Sequence, residues 1–321
     1  MTKKIPAQPE QLYNFIKRRF PNERVVIGYE AGPTGFGLYD YLTEHQMPCM
    51  IIPTSSVRKP ANDQVKTNRL DARKLSNMLA EGDFHPVRVP EGPYRELRNL
   101  VHVRMNYAQL QRASKQRIKA LLLANSLHNI VCRDIDQHWS NLFLKRIAAL
   151  ECTPAVRFRI DRLLEDLEYA RRQLSRATQQ LRIFCRETDY VRNHIHNLQT
   201  IPGIGIVTSA TLLASIGNPR FLHNLQELAS FCGLIPREKS TGDKVRRGSI
   251  TQTGNSVLRC LLVEAAWRAI RKDTELNQFY GRITNRHHAL YAKQKAIVAV
   301  ARKLTSRIYR VLVERREYII R

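Results

Sequence analysis

Asn197-Leu-Gln-Thr-Ile-Pro-Gly-Ile-Gly-Ile-Val-Thr-Ser-Ala-Thr-Leu-Leu-Ala-Ser-Ile-Gly217 is the stretch on which the reading of this chain turns. A short helix ends at Ile201, Pro202-Gly203-Ile204-Gly205 makes a tight turn, and an apolar helix restarts over Val207 to Ile216. This is a helix-hairpin-helix pattern. Glycines at 203 and 205 admit positive φ, so N–H groups at the start of the second helix can face an anion such as a DNA phosphate. An ordinary corner between two helices of a helical domain would give the same pattern with no ligand.

Composition narrows the partner. The 321 residues leave room for two or three domains, and 43% hydrophobic content is enough to build cores. Lys+Arg 53 against Asp+Glu 28 leaves a formal charge of +25, spread through nearly every segment, which points to a polyanion. Nucleic acid is favoured over a membrane because no long apolar span, leader or lipidation motif is visible; the expected location is the cytoplasm, at the nucleoid. The six cysteines are scattered, without a C-x-x-C pair, which argues against zinc and suits a reducing compartment.

Upstream of the turn, Gln11 to Phe20 has helical spacing, Arg24 to Glu30 reads as a buried strand ending in a carboxylate, and Gly35 to His45 as a helix. Pro48 to Pro53 is a second strand and Thr67 to Glu81 another helix, a β-α-β-α alternation that predicts a sheet covered by helices. Glu30 ends its strand where α/β sheets place their sites. Tyr94 to Asn129 reads as one long basic helix. Ile160, Leu163, Leu167, Ala170, Leu174, Ala177, Leu181 and Phe184 then form a heptad seam, expected to give an antiparallel helical hairpin or an intermolecular coiled coil. Downstream, Phe221 to Cys232 is helical. Gly233 to Asn255, rich in hydroxyls, glycines and cations, is expected to be a functional loop. Ser256 to Arg271 and Ala292 to Glu314 are further helices.

Three separated features carry a resemblance: Glu30, Lys66-Thr-Asn-Arg-Leu-Asp-Ala-Arg73, and Pro236-Arg-Glu-Lys-Ser-Thr-Gly242. Together with the Ile-Pro-Gly-Ile-Gly turn and the following Phe-Cys-Gly-Leu-Ile-Pro-Arg, they resemble the DEDD-type transposases of insertion sequences, relatives of the pilin-gene inverting recombinases, whose active members use a bridge RNA. The resemblance implies an α/β plus α architecture. Residues 1–92 would form a RuvC-like, RNase H-like domain, 93–190 a long coiled-coil helical hairpin, and 191–321 a mostly helical transposase domain with the helix-hairpin-helix. It further implies a four-carboxylate site for Mg²⁺ working with a hydroxyl that attacks DNA, and partners comprising DNA, a guide RNA and further copies of the chain, as a dimer or tetramer through the coiled coil.

Carried over residue by residue, Glu30 matches the second acid and Asp71 the fourth; Asn68 stands where the third is expected. The first acid belongs to an upstream strand, but no Asp precedes Asp40, so that strand is expected to be missing by N-terminal truncation. Asn68 also suits a helix N-cap with Asp71 in the first turn, a reading that needs no metal. The nucleophile position, immediately before Gly242, is Thr241, with Ser240 beside it. Arg237, Lys239, Lys244, Arg246 and Arg247 would hold phosphates around it, and Gly203 and Gly205 would grip the DNA backbone. The alternative function is a catalytically impaired remnant that only binds nucleic acid.

Overall fold

The computed structural model describes residues 4–54, 68–82, 84–132, 139–241, 244–251, 253–286 and 291–319. They divide into two compact units, Met1–Val89 and Pro90–Arg321.

The first unit runs α1 (Pro9–Arg19), β1 (Ile27–Glu30), α2 (Gly37–Glu44), β2 (Cys49–Ile52) and α3 (Asn68–Glu81). Proline opens α1, where its missing N–H is no loss. Apolar spacing sets Ile16, Leu12, Phe15 and Phe20 against Leu42 and Met47, the small core beneath α2. The strands pair in parallel, Ile27 opposite Cys49 and Glu30 opposite Ile52. The Val87 N–H donates to the Ile51 carbonyl at 2.7 Å, so the chain leaving this unit lies along β2. A Cβ on Gly28 would run into the Leu79 side chain: α3 packs directly on β1.

The second unit begins with α4 (Gly92–Ala124), α5 (His128–Val131), α6 (Asn141–Ala148) and α7 (Pro154–Glu187). The expected helix to Asn129 therefore breaks after Ala124. The heptad seam turns inward: Ile160, Leu167, Ala170, Ala177 and Leu181 are buried. Helices α4 and α7 run antiparallel within one chain, as the contacts Arg104 to Thr178 and Tyr107 to Tyr169 require. Each fully buried Leu or Ile of this seam contributes about 1.5–3 kcal/mol. At the far end α5 and α6 close a separate core of Ile118, Leu122, Val131, Phe143, Ile147 and Ile160. The Ser140 hydroxyl caps α6 by accepting from the Phe143 N–H at 3.2 Å, and Arg157 closes its other end by donating to the Ile147 and Ala148 carbonyls.

The rest of the unit is α8 (Asp189–Gln199), α9 (Ile206–Ile216), α10 (Leu225–Phe231), β3 (Pro236–Thr241), β4 (Lys244–Ile250), α11 (Ser256–Ala269), α12 (Thr274–Arg286) and α13 (Ala292–Glu314). One hydrophobic cluster runs from Tyr94, Leu97 and Leu181 through α8 and α9 to Leu262 and Leu304, continuous across residue 190. A buried ion pair locks its edge. Arg307 bonds both carboxylate oxygens of Asp273, their side chains only 7% and 1% exposed, and also Glu275 at 2.7 Å. The Tyr318 N–H then reaches the Thr200 hydroxyl at 2.8 Å, tying the segment after α13 to the turn that leads into α9.

Candidate functional site

Glu30 is exposed at the carboxyl end of β1, where pairing with Ile52 is followed by one more ladder bond, Ala31 N–H to Ile52 carbonyl at 2.8 Å. Asp71 is half-buried in the first turn of α3. Asn68 is the first described residue of α3, and the chain before it lies outside the described residues, as does the capping role the sequence suggested for Asn68. Among the described residues no group of three or more His, Cys, Asp or Glu side chains comes together to hold a metal. Two carboxylates and an amide are nevertheless oxygen donors of the kind a hard divalent cation takes, so the donor chemistry fits in type and is thin in number.

The turn between α8 and α9 differs from expectation in one respect. Gly203 has φ +87, a conformation that suits glycine, and a Cβ there would strike the Ala265 carbonyl oxygen and the Ala269 nitrogen of α11. Its smallness lets the turn press against a helix backbone. Gly205 is extended, with φ −107, and a Cβ would meet nothing within 4 Å, so positive φ is not the reason for glycine there. Gly205 is the N-cap of α9, which has no side-chain cap. Ile201, Pro202 and Ile204 are buried, while Ile206 and Val207 are half-exposed.

The stretch from Gly233 to Asn255, expected as a loop, contains an antiparallel hairpin instead. Strands β3 and β4 pair Lys239 with Arg246, Ser240 with Val245 and Thr241 with Lys244; residues 242 and 243 between them lie outside the described residues. A register shift between Pro236 and Glu238 marks a bulge near the base. That base is tightly held. The Thr251 N–H donates to the Ile235 carbonyl at 2.9 Å, and the Asn255 N–H to the Phe231 carbonyl at 2.8 Å. Gly254, at φ +96, sits so close to the Ser230 and Phe231 carbonyls that a Cβ could not be added without displacing backbone.

Asn255 is the residue that sequence reasoning passed over. Its Oδ1 accepts from the Val257 and Leu258 N–H groups, capping α11, and its Nδ2 donates to the Ser215 hydroxyl of α9 at 3.4 Å. The hairpin, the turn's second helix and α11 thus share one anchor. The signal was present as Gly-Asn ahead of an apolar helix. Arg237 is exposed on β3, its Nη2 donating to the Thr251 carbonyl at 3.4 Å. Nearby Cys232 is buried, and burial pushes its thiol up to about 12, which removes it as a nucleophile at neutral pH.

Comparison with known proteins bears on both units. A family model described as "Transposase", of the DEDD type, matches residues 1–125, and a second, "Transposase IS116/IS110/IS902 family", matches residues 195–281. The chain is 28% identical over 248 residues to "Putative transposase y4qE" of Sinorhizobium fredii, covering 76% of this chain and 58% of that protein. It is 22% identical over 276 residues to the "Transposase for insertion sequence element IS1111A" of Coxiella burnetii, covering 85% and 73%. Over 123 residues it is 31% identical to the "Pilin gene-inverting protein" of Moraxella bovis, covering 38% and 37%. Both family models match in the order that the fold presents them, so over each of these two stretches the chain is similar to the transposases of the IS110/IS116 family.

Proposed function

We propose that this protein cuts and rejoins DNA as the transposase of an insertion sequence, with a hairpin hydroxyl as nucleophile and a metal-binding carboxylate site at the end of the β1–β2 sheet. The observation that carries the reading is the hairpin itself. A strand pair bolted to two helices at its base, carrying two hydroxyls and four Lys/Arg residues towards its tip, suits an attacking group and the phosphates around it.

The register favours Thr241 over Ser240. Alternate residues of a ladder share a face, so Lys239, Thr241, Lys244 and Arg246 hold one set of positions, and Ser240 with Val245 the other. In the proposed step the Thr241 oxygen bonds to phosphorus as a backbone P–O bond breaks; the threonine proton passes to water, and the leaving deoxyribose oxygen takes a proton from water to become a free hydroxyl. The number of phosphodiester linkages is conserved, so the broken strand can be rejoined. Cations at 237, 239, 244, 246 and 247 stabilise the charge on the transferring phosphoryl group.

Glu30 and Asp71, with Asn68 as a weaker ligand, are the residues that would hold Mg²⁺, which when bound supplies charge neutralisation at the attacking and leaving oxygens. Support comes from geometry along the elements. Leu79 covers Gly28; Glu30 lies about 6.6 Å further along β1, and Asp71 about 12 Å back along α3. With α3 returning antiparallel to β1, as helices of α/β sheets do, both acids belong to the carboxyl end of the sheet. The α9 N-terminus, with Gly205 as cap, would grip backbone phosphates without reading bases, leaving sequence choice to a guide RNA. The heptad seam is filled by α4, so assembly into a dimer or tetramer through this helical pair would use its outer faces.

The test is incubation with donor and target DNA, guide RNA and Mg²⁺, followed by denaturing electrophoresis. A protein–DNA adduct abolished by Thr241→Ala and retained by Ser240→Ala is the expected result; no adduct and no strand exchange under any metal would refute it. A second reading, a protein that only binds nucleic acid, draws on the absence of a three-group metal cluster among the described residues. On that reading Glu30→Ala and Thr241→Ala leave every measurable property unchanged.

A further inference from the structure

The α4–α7 pair holds its cations in two different settings. On α7 four of the eight arginines are matched: Arg157 to Asp161 at 2.6 Å, Arg162 to Glu165, Arg172 to Glu168 at 3.6 Å, and Arg186 to Glu187 at 3.3 Å. Helix α4 carries Arg98, Arg104, Arg112, Lys115, Arg117 and Lys119 and has no acid between Glu96 and its end at Ala124. Among the half-buried cations of the pair are Arg104, Lys115 and Arg171. None of the three is paired with a carboxylate among the described residues.

The local geometry brings two of them together. The Arg171 Nη2 donates to the Trp139 backbone carbonyl at 2.8 Å, and the Lys115 Nζ stands 5.6 Å from the centre of the Trp139 ring. Trp139 is fixed edge-on against Phe143, ring centres 5.3 Å apart, with a left-handed backbone at φ 55 that a bulky residue rarely adopts. One residue in an unusual conformation thus holds two like charges side by side. Burial lowers the Lys115 pKa and the neighbouring Arg171 lowers it further; burial likewise lowers that of Arg104. Among the described residues Arg104 has the Thr178 hydroxyl, at 3.2 Å, as its side-chain partner. Like charges withdrawn from water without a counter-charge are unfavourable on their own, and an anion between them reverses the sign of the interaction.

We infer that Lys115 and Arg171, held by Trp139, form a phosphate-binding site for a nucleic-acid strand that follows the α4–α7 pair past Arg104. Arg104 and Lys115 stand eleven positions apart on one helix, about 16 Å along its axis, which is a span of several nucleotides and not of one phosphate. The inference rests on the reading of the protein as one that handles nucleic acid, and it adds the residues and the place.

The experiment is a salt series of equilibrium binding with a labelled DNA duplex and, separately, a labelled RNA strand, using the full chain and the Lys115→Gln/Arg171→Gln double variant. The expected result is a loss of affinity of about tenfold or more at low salt. The slope of log K against log salt should shrink by about 0.9 per lost duplex phosphate, or about 0.7 on a single strand. The thermal midpoint should be unchanged or higher, because a like-charge pair has been removed, and Lys115→Arg should keep wild-type binding. Whichever nucleic acid suffers the larger loss is the occupant. Arg162→Gln, on the acid-matched side, should leave the slope as it was. If the wild-type chain binds tightly and the double variant matches it in affinity and slope, the site is refuted while the broader reading stands. A fall in thermal midpoint accompanying the loss of binding would make the pair structural and also refute it, and wild-type protein that binds neither nucleic acid would remove both inferences.

Discussion

Gly203→Ala against Gly205→Ala separates a glycine required by packing from one that is not. At position 203 a methyl group must adopt φ +87 and enter the space of the Ala265 oxygen and the Ala269 nitrogen. The strained backbone costs about 1–3 kcal/mol, and displacing a helix backbone by overpacking about 1–3 kcal/mol more, so a total of about 2–6 kcal/mol is expected. At position 205, φ is −107 and no atom lies within 4 Å, which leaves only the difference between glycine and alanine as an N-cap, about 0.5–1 kcal/mol. Urea unfolding followed by tryptophan fluorescence is the assay. The two tryptophans, Trp139 and Trp267, both belong to the second unit, so the signal reports that unit alone. With a slope of about 3 kcal/mol/M, the first variant should shift the midpoint down by about 1 M and the second by about 0.3 M or less. Equal shifts would show that the close approach to α11 carries no energetic weight.

Asp273→Asn should destabilise the second unit by about 3–5 kcal/mol, because it removes the fully buried counter-charge of the Arg307 guanidinium and leaves it only the half-exposed Glu275; the measurement is again urea unfolding. Burial pulls the Asp273 carboxyl upward, but the hydrogen bonds from Arg307 and the Leu276 N–H outweigh it and hold the group below the usual carboxylate range. The stabilisation is therefore complete above the ordinary carboxylate pKa of about 4 and is lost as pH falls through the lower folded value, so the acid limb of a stability–pH profile should flatten in the variant. Leu181→Ala, at a fully buried position between α4 and α7, should cost about 2–5 kcal/mol, whereas Phe158→Ala, at a side chain 66% exposed, should stay within about 0.5 kcal/mol. In the native protein a thiol reagent should label the exposed Cys260 quickly and leave Cys185 and Cys232 untouched until unfolding, as mass spectrometry of the modified peptides would report.

What could be read from the sequence was whatever local spacing decides. The three-and-four rhythm from Ile160 to Leu181 marked the inward face of α7, and the apolar run ending in Glu30 marked a strand with a carboxylate at its tip. The hairpin escaped because Arg-Glu-Lys-Ser-Thr and Lys-Val-Arg-Arg-Gly-Ser-Ile have no apolar alternation; the pairing between strands and the ties at Ile235 and Phe231 set the conformation instead. Helix α12 escaped too, since its buried face is little more than Leu276 and its place is fixed by Asp273, whose carboxylate accepts from the Leu276 N–H at 2.9 Å while bonding Arg307. The two glycines of the turn look alike in the sequence and differ only in what stands opposite them, which is a helix from sixty residues downstream in one case and open space in the other.

The hydrophobic cluster that joins Tyr94 to Leu312 also leads to an expectation about the order of folding. The core at the far end of α4 and α7 is local, closing between Ile118 and Leu167, and such contacts form early. The larger core draws on α4 at one end of the unit and α13 at the other, so it cannot close while α13 is still being made. Until then the apolar faces of α8, α9 and α11 stand open to water, and a chain interrupted anywhere before Ala292 presents them to chaperones and proteases. Completion of the larger core is therefore expected to wait on one late helix, and a chain ending before Ala292 should bind a hydrophobic dye where the full chain does not.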